Sequence, residues 1–230
     1  MFTPLRTSLI TVLADLLAAC ASAPPAVSPG ADGWENVPIP GKRATHYSWA
    51  EKDGRRALVA EADGSASFWM KRLPTGPQDA HEVEFSWWVQ DMLPNANVGV
   101  AERSDAVARV VFGFEGDIDA LPLKTRMMFE LAHALTGHTP PYASLVYVWD
   151  AELPVGTVVI HPRSDRIRKI VIDSGPGERR HWRDHKRDLA ADFRLAFGEE
   201  PGKLVSFAYM TDTDNTRSRA KTWYGEIKLK

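Results

Sequence analysis

The chain has 230 residues, of which 44% are hydrophobic, and its formal net charge at pH 7 is −2. That hydrophobic fraction is enough for the core of one domain of ordinary size. The slight negative charge argues against a nucleic-acid partner, because such proteins normally carry a basic excess. Cys20 is the only cysteine, so the chain cannot build an internal disulfide framework.

The N-terminal residues have the features of an export signal. A short positive region precedes an apolar run that ends at Cys20. This run is shorter than the about 20 apolar residues that a transmembrane helix needs, but it has the length of a signal peptide. The segment Leu17-Ala18-Ala19-Cys20 resembles the lipobox of bacterial lipoproteins, although Asp15 inside the apolar run departs from the usual pattern. We therefore predict a signal peptide over residues 1–19 and a lipid on Cys20.

A lipid on Cys20 predicts that the protein is held by the membrane of the bacterial envelope, on the periplasmic side. Ala21, at the second position of the mature chain, implies sorting to the outer membrane, as in bacterial lipoproteins generally. Residues 20–32 are rich in proline and small residues, and they predict a flexible tether before a single domain over residues 33–230. The alternative is an ordinary signal peptide cut after Ala21 or Ala23, which would discard Cys20.

Period-two patterns indicate strands through most of the domain. In residues 81–89, Val83, Phe85 and Trp87 share one predicted face, and Trp88 points to the other. Comparable stretches lie at 56–62, 66–72, 106–114, 143–149, 166–172, 203–210 and 221–229. Turn residues separate these stretches, and Asp63-Gly64 between two short strands predicts a hairpin.

Two segments instead show the 3.6-residue period of helices. Residues 124–135 place Met127, Met128, Leu131 and Leu135 on one face, and Gly137 follows. Residues 179–197 place Trp182, Leu189, Phe193 and Phe197 on one stripe. Many strands with two inserted helices, which do not alternate regularly with the strands, predict a mainly β fold, an antiparallel β-sandwich whose helices cover an edge or an end.

Several long blocks carry a resemblance to a known family. The four blocks are WWVQDMLPNANVGVAERSDA, RVVFGFEGDIDALPLKTRMMFELAHALTGHTPPYASLVYVWD, HPRSDRIRKIVIDSG and MTDTDNTRSRAKTWYGEIKL. These blocks resemble a family of exported bacterial proteins known as a domain of unknown function, DUF3047. The resemblance covers about residues 33–230 and implies no activity or catalytic residue. The last block is also similar to the closing strand of jelly-roll carbohydrate-binding modules, which makes the expected sandwich jelly-roll-like.

Polar residues near predicted strand ends suggest a ligand site. Asp212, Asp214 and Asn215 lie in a loop with alternating oxygen-bearing side chains, which can ligate Ca²⁺. The loop lacks the glycine and the glutamate of a calcium loop, and Arg217 follows directly, so we predict no metal. Either these side chains recognise another ligand, or they cap their own backbone in a solvated loop.

Arginine and aspartate recur together in two other segments, at Arg103 with Asp105 and at Arg163 with Asp165. Guanidinium groups suit bidentate contact with carboxylates, phosphates or sugar hydroxyls. We predict that Arg103, Asp105, Arg163, Asp212, Asp214, Asn215 and Arg217 converge on one polar pocket. The alternative is that each arginine pairs with an aspartate and only braces a loop.

Tryptophan is abundant, with 8 residues. Flat aromatic rings stack on sugars, and Trp88 faces away from the predicted core side of its strand, so we add Trp88 to the predicted binding residues. Burial of both faces of the strand is the alternative explanation.

Catalytic signatures are missing from the sequence. Glu130 with His133, and His181 with His185, are each interpreted as structural or solvated pairs on a helix face rather than metal ligands. No Walker loop, G-x-S-x-G or HExxH motif occurs, so we predict no cofactor. Cysteine catalysis is excluded because the one cysteine is assigned to the anchor.

We therefore predict a non-enzymatic, lipid-anchored envelope protein that binds a carbohydrate or another polar ligand. One alternative is a hydrolase of envelope glycans with a carboxylate pair, Glu115 and Asp117 or Asp212 and Asp214, since glycosidases need two carboxyl groups at a set distance. Another is a structural or assembly protein, whose marker would be a large exposed apolar patch.

Overall fold

A computed structural model describes residues 32–73 and 81–230. The predicted signal peptide, Cys20 and residues 21–31 lie outside the described residues. The strands are β1 (Trp34–Pro38), β2 (His46–Lys52), β3 (Arg55–Asp63), β4 (Ser67–Arg72), β5 (Glu82–Val89), β6 (Ala106–Phe114), β7 (Ala143–Asp150), β8 (Val158–His161), β9 (Ser164–Ser174), β10 (Trp182–Asp188), β11 (Leu204–Asp212), β12 (Arg219–Tyr224) and β13 (Lys228–Leu229). The helices are α1 (Leu123–Thr136) and α2 (Leu189–Phe197).

The strands form two sheets that pack face to face. The seven-stranded sheet has the order β1-β4-β11-β6-β7-β9-β8, and the six-stranded sheet has the order β10-β5-β12-β3-β2, with β13 also paired to β5. Every pairing is antiparallel except that of β7 with β9. Because β4, β5 and β6, and again β10, β11 and β12, alternate between the sheets, the topology is that of a jelly-roll-like sandwich. The predicted fold class is confirmed.

The core lies between the inner faces of the sheets. On β5, Val83, Phe85 and Trp87 point into this core, while Trp88 packs on the outer face with Trp223, as the period-two pattern predicts. The inner faces are rich in aromatic side chains, and Phe85 stacks on Tyr147 of β7 with ring centroids 5.6 Å apart. Burial of such large rings is the main stabilising contribution to the sandwich.

The predicted hairpin at Asp63-Gly64 is wrong. β3 and β4 belong to different sheets, so this turn carries the chain from one sheet to the other. The tight hairpin lies instead at Asp53-Gly54, where both residues have positive φ (50° and 75°) between β2 and β3. Turn chemistry marks where a strand ends, but it does not decide which strands pair.

The two predicted helices have different outcomes. The first is confirmed as α1, which ends on Gly137 in the left-handed conformation. The second is wrong in its first half, because residues 182–188 form β10 and only α2 is helical. β10 pairs with β5 along its whole length, which satisfies its backbone groups in the sheet, and Asp188 then caps α2 by accepting a hydrogen bond from the Ala191 amide at 2.8 Å. His185 therefore lies on a strand, and the predicted helical pair of His181 and His185 does not form.

The register defines two ends of the seven-stranded sheet. At one end, β6 begins beside Asp212, the last residue of β11; we call this the acidic end. At the other, Phe114 of β6 pairs with Ala143, where β7 begins, and with Leu204, where β11 begins. Because α1 leads into β7 and α2 leads into β11, we call this the helix end.

Candidate functional site

Three carboxylates meet at the acidic end. Single oxygens of Asp105, Asp212 and Asp214 all lie within 4.8 Å of one another. Asp105 accepts hydrogen bonds from the amides of Asn215 (3.1 Å) and Thr216 (2.7 Å) and from the Thr216 hydroxyl (2.6 Å). Asp214 pairs with Lys42. The predicted convergence of these aspartates and Asn215 is therefore found, but their oxygens already have protein partners.

Arg109 and Lys169 bring positive charge to the same region. Arg109, on β6, donates to Asp212 at 2.8 Å and to the Ser104 carbonyl. Lys169, on β9, donates to the Val98 carbonyl at 3.0 Å and the Ser104 hydroxyl at 2.8 Å. Both cations are buried, and they tie the loop of residues 91–105 over the outer face of the seven-stranded sheet.

Burial perturbs the ionisation of this network. It raises the pKa of Asp212 to about 6, although Arg109 acts to lower it. It lowers the pKa of Lys169 to about 7, and repulsion from Arg109 adds to this effect. The pKa of His161, on β8, falls to about 4, first through burial and then through the charges of Lys169 and Arg109. Loss of hydration disfavours the charged form in each case.

The predicted arginines do not hold these aspartates. Arg103 donates to the Asn95 carbonyl at 3.0 Å and lies 3.7 Å from a carboxylate oxygen of Glu152. Arg217 is exposed, in the left-handed conformation (φ 51°). Arg163 lies in the β8–β9 turn, and because Ser144 of β7 pairs with both Ile167 and Gly113, that turn is at the helix end. The prediction that Arg163 joins the cluster is wrong, because parallel pairing of β7 with β9 carries the turn to the opposite end.

The outer face of the seven-stranded sheet around Arg109, Lys169 and His161 is what we call the closed face. Loops cover this face, and Asp150 holds them by accepting hydrogen bonds from the amides of Val98, Glu152 and Leu153 at 2.7–2.8 Å. Val98 and Leu153 also pack on Val148 and Val171 of this sheet. The buried charges of the closed face are thus partnered by its own loops.

The outer face of the six-stranded sheet, which we call the open face, carries a row of tryptophans. Trp223, Trp88 and Trp182 are paired neighbours across β12, β5 and β10. Trp88 and Trp223 pack edge to face with ring centroids 4.8 Å apart. Cations cover the row: the Lys52 ammonium lies 3.8 Å from the Trp88 ring centroid, and the Arg55 guanidinium lies 5.0 Å from that of Trp182.

Two pockets flank this row of tryptophans. Both are open depressions, of about 470 and about 440 Å³. The charged side chains that line the first are Arg55, Arg56, Glu84, Asp184, Lys186, Glu226 and Lys228, together with His185. Those that line the second are Glu61, Asp63, Asp91, Arg219 and Lys221. Apart from the histidine, the two pockets together hold six basic and six acidic side chains. The surface formed by the tryptophan row and the two pockets is therefore close to electrically neutral.

The shifted carboxyl groups of these pockets favour the ionised form. A hydrogen bond from Lys221 lowers the pKa of Glu61, one from Arg219 lowers that of Asp63, and one from Lys230 lowers that of Glu84. A glycosidase general acid needs the opposite, a carboxyl group whose pKa is raised. These three carboxylates are therefore suited to accepting hydrogen bonds from a ligand rather than to donating a proton.

A buried carboxylate lies beneath the open face. Asp173 accepts hydrogen bonds from the Trp87 indole at 2.7 Å and from Arg183 at 2.9 Å, and its Oδ2 lies 2.9 Å from Nε2 of His185. These hydrogen bonds lower its pKa against the opposing effect of burial. The network fixes β10, the edge strand that supplies Trp182 and Asp184, against the sandwich core.

Neither carboxylate pair of the hydrolase alternative lines the two pockets described above. Asp212 is buried. Glu115 and Asp117 are exposed, and Asp117 caps the backbone amides of Asp119 and Ala120 at 3.0 and 3.2 Å.

The sequence pattern gave one member of the tryptophan row and missed two. Trp88 was identified from the alternation of its strand, and Trp223 shows the same signal within residues 221–229. The helix predicted over residues 179–197 includes Trp182, which the structure places on β10. The residues that follow Trp182 in β10 are all charged or polar, so no apolar alternation marks this strand in the sequence.

Comparisons with known proteins give the following relationships. No curated protein matches the chain. Among solved structures, the xyloglucanase domain of NopAA, a type three effector from Sinorhizobium fredii in complex with cellobiose, is 9% identical with a TM-score of 0.43, over 87% of this chain and 96% of that one. The N-terminal CBM22-1-CBM22-2 tandem domain of Paenibacillus barcinonensis Xyn10C is 10% identical with a TM-score of 0.35, over 88% of this chain and 46% of that one. The family described as a protein of unknown function, DUF3047, matches residues 32–228, and the chain belongs to this family.

Proposed function

We propose that the protein is a non-enzymatic binding module that holds a neutral oligosaccharide along the open face. The observation that carries the proposal is the row formed by Trp223, Trp88 and Trp182 between two pockets of balanced charge. Aromatic rings offer apolar contact to the faces of sugar rings, and the paired acids and bases offer acceptors and donors to hydroxyl groups. A charged ligand would meet as many like charges as opposite ones.

Lys52 covers the ring that this ligand would contact. Trp88 is 7% exposed, and its indole N–H is buried without a hydrogen-bond partner among the described residues. An unpaired buried donor is unfavourable. Displacement of Lys52 by a sugar would expose the Trp88 ring and give the indole N–H access to a hydroxyl group. The ammonium of Lys52 would lose a cation–π contact worth about 0.5–1 kcal/mol and would regain hydration.

This proposal moves the binding site from the acidic end to the open face. Asp105, Asp212 and Asp214 have partners that hold loops, which supports the bracing interpretation of these residues. Trp88 is the one predicted binding residue that lies on the open face. The lowered pKa values of Glu61, Asp63 and Glu84 support binding over glycoside hydrolysis.

A glycan array followed by calorimetry tests the proposal. We expect a neutral oligosaccharide to bind, and we expect Trp182→Ala and Asp184→Ala each to weaken that binding by about tenfold or more, which corresponds to about 1.4 kcal/mol or more. Trp49→Ala is the matched control, because Trp49 is an exposed tryptophan under the guanidinium of Arg56 but does not line either pocket. Arg217→Ala is the control for the acidic end. Binding that survived the first two substitutions but failed with Arg217→Ala would return the site to the predicted loop.

The anchor at Cys20 is the second part of the proposal. The lipobox-like segment before Cys20 supports it, as does the lack of another cysteine. We expect the intact mass of the protein extracted from membranes to show a lipid on an N-terminal Cys20, and Cys20→Ser to release the protein from the outer-membrane fraction. An unmodified N-terminus after Ala21 or Ala23 would contradict the anchor and leave the oligosaccharide site untouched.

A further inference from the structure

Helix α1 presents an apolar stripe to solvent. Leu123 is 65% exposed, and Met127, Leu131 and Leu135 are each 59% exposed, whereas Phe129 is buried. At 3.6 residues per turn, Phe129 lies on nearly the opposite side of the helix from Met127, Leu131 and Leu135. The helix therefore buries Phe129 and turns its apolar stripe outward. Four large apolar side chains in one line on an exposed helix offer a contact surface, and its place on the molecule indicates what it could contact.

The stripe lies at the same end of the molecule as the start of the described chain. Trp34, at the start of β1, pairs with Lys71, and the next residue of β4, Arg72, pairs with Ser206. Ser206 in turn pairs with Gly113 of β6, so this register places Trp34 at the helix end. His138, directly after α1, is close enough to Arg72 for the charge of Arg72 to lower its pKa. The start of the described chain and α1 thus lie at the same end of the sandwich.

We propose that the apolar stripe of α1 docks on the surface of the membrane that holds Cys20. This inference rests on the proposed lipid anchor. The twelve residues 20–31 can span at most about 40 Å when fully extended, so the anchor keeps the helix end close to the bilayer. An amphipathic helix can lie in the membrane interface with its apolar side toward the acyl chains, and a nearby lipid anchor would hold it there. In the part of the chain that the structure describes, no helix is long and apolar enough to cross a membrane, so α1 would lie on the surface.

The size of the stripe favours a membrane over a second copy of the chain. A helix of 14 residues is roughly 21 Å long, and a stripe about 10 Å wide along it offers roughly 200 Å². A stable protein interface buries about 800 Å² on each partner. Docking on a bilayer has no such minimum area when a lipid supplies the main attachment. Docking at the helix end also leaves the open face, on the side of the sandwich, accessible to an oligosaccharide.

A single fluorophore placed on α1 tests the proposal. The lipidated full chain would have no other free thiol, so Leu131→Cys can be labelled with an environment-sensitive dye and reconstituted in vesicles of phosphatidylethanolamine and phosphatidylglycerol. The reference is the same labelled variant with Cys20→Ser, in buffer without detergent or vesicles. Relative to this reference, we expect the dye emission in vesicles to shift to the blue and its quenching by iodide to fall several-fold. The matched control is Val155→Cys, an equally exposed apolar position (63%) in the β7–β8 connection at the acidic end, whose dye should stay accessible to iodide.

The arms of the experiment separate the possible failures. A dye at position 131 that stays accessible in vesicles holding the lipidated protein would overturn the docking proposal and leave the anchor intact. The dye at position 131 could instead be shielded in the Cys20→Ser protein without vesicles, with a dimer seen in sedimentation. That result would assign the stripe to a second copy of the chain and would also overturn the docking proposal. Cys20 could also carry no lipid in cells. In that case, weak binding of the Cys20→Ser protein to the same vesicles would support α1 docking without the anchor, provided that the double substitution Met127→Gln with Leu131→Gln abolishes this binding. No vesicle binding in that case would overturn the docking proposal.

Discussion

The closed face and the open face are the two outer surfaces of one sandwich, and they differ in how deeply their cations are buried and in what partners these cations have. On the closed face, Arg109 and Lys169 are buried under loops and donate to Asp212, Ser104 and Val98. On the open face, Lys52 and Arg55 lie at the surface over tryptophan rings. Buried pairs are costly to break because they leave an uncompensated charge, whereas a surface cation over a ring can move at little cost.

This difference separates stability from binding. Substitutions on the closed face should change the free energy of unfolding and leave ligand affinity of the folded protein alone. Substitutions on the open face should do the reverse. Three variants, in order of decreasing expected effect, can break or sharpen that comparison.

Arg109→Met should have the largest effect. It leaves the buried Asp212 carboxyl without its cation, and breaking such a pair typically costs about 3–5 kcal/mol. Urea denaturation followed by tryptophan fluorescence measures the loss. The double variant Arg109→Met with Asp212→Asn should recover part of it, because no unpaired charge is then buried. Equal losses in the single and double variants would contradict the ion-pair explanation.

His161→Gln should have an intermediate effect that depends on pH. The pKa of His161 is about 4 in the fold and about 6.5 when unfolded, so between these values the unfolded chain binds the proton and the folded chain does not. The contribution of His161 to stability is therefore fully favourable above pH 6.5 and falls as the pH drops toward 4. Because His161 is partly exposed, solvent screens its charge and reduces this effect, and we expect wild type to lose about 1–2 kcal/mol more than His161→Gln between pH 7 and pH 4. Parallel pH profiles for the two proteins would show that His161 is not shielded by the closed face.

Lys52→Ala should have the smallest effect, and its sign is the informative part. Removing the ammonium from above Trp88 spares a ligand the loss of a cation–π contact worth about 0.5–1 kcal/mol, so oligosaccharide affinity should rise by about two- to fivefold. Lys52→Arg keeps a cation over the ring and should bind as wild type does. A lower affinity of Lys52→Ala in calorimetry would mean that Lys52 itself contacts the ligand.

Sequence patterns predicted α1 and most of the strands because each of these has a regular apolar period, whereas β1, β2 and β8 were not predicted. β5, β6 and β7 match the predicted stretches within a residue or two. β10 was not predicted as a strand because its residues are nearly all charged. Its pairing with β5 and the contacts of Arg183 and His185 with Asp173 stabilise it as a strand. Such long-range partners are not visible in local sequence.

The candidate site was less predictable than the fold for the same reason. The aspartates of the acidic end were predicted together, but their cations, Arg109 and Lys42, lie in other segments with no pattern to mark them. Trp88 was predicted to face away from the core, yet its neighbours Trp182 and Trp223 depend on which strands pair with β5. Strand order sets the site, and local propensity does not determine strand order.

Indole resonances in a nitrogen-15 NMR titration test the central claim, that the open face is the oligosaccharide site, most directly. The eight tryptophans include three on the open face and two that are buried in the core between the sheets. With a neutral oligosaccharide that binds on the array, we predict that the indole signals of Trp88, Trp182 and Trp223 shift with one saturating curve. The signals of the inner-face residues Trp87 and Trp149 should stay in place. Saturable binding with no change in the three open-face signals would contradict the claim.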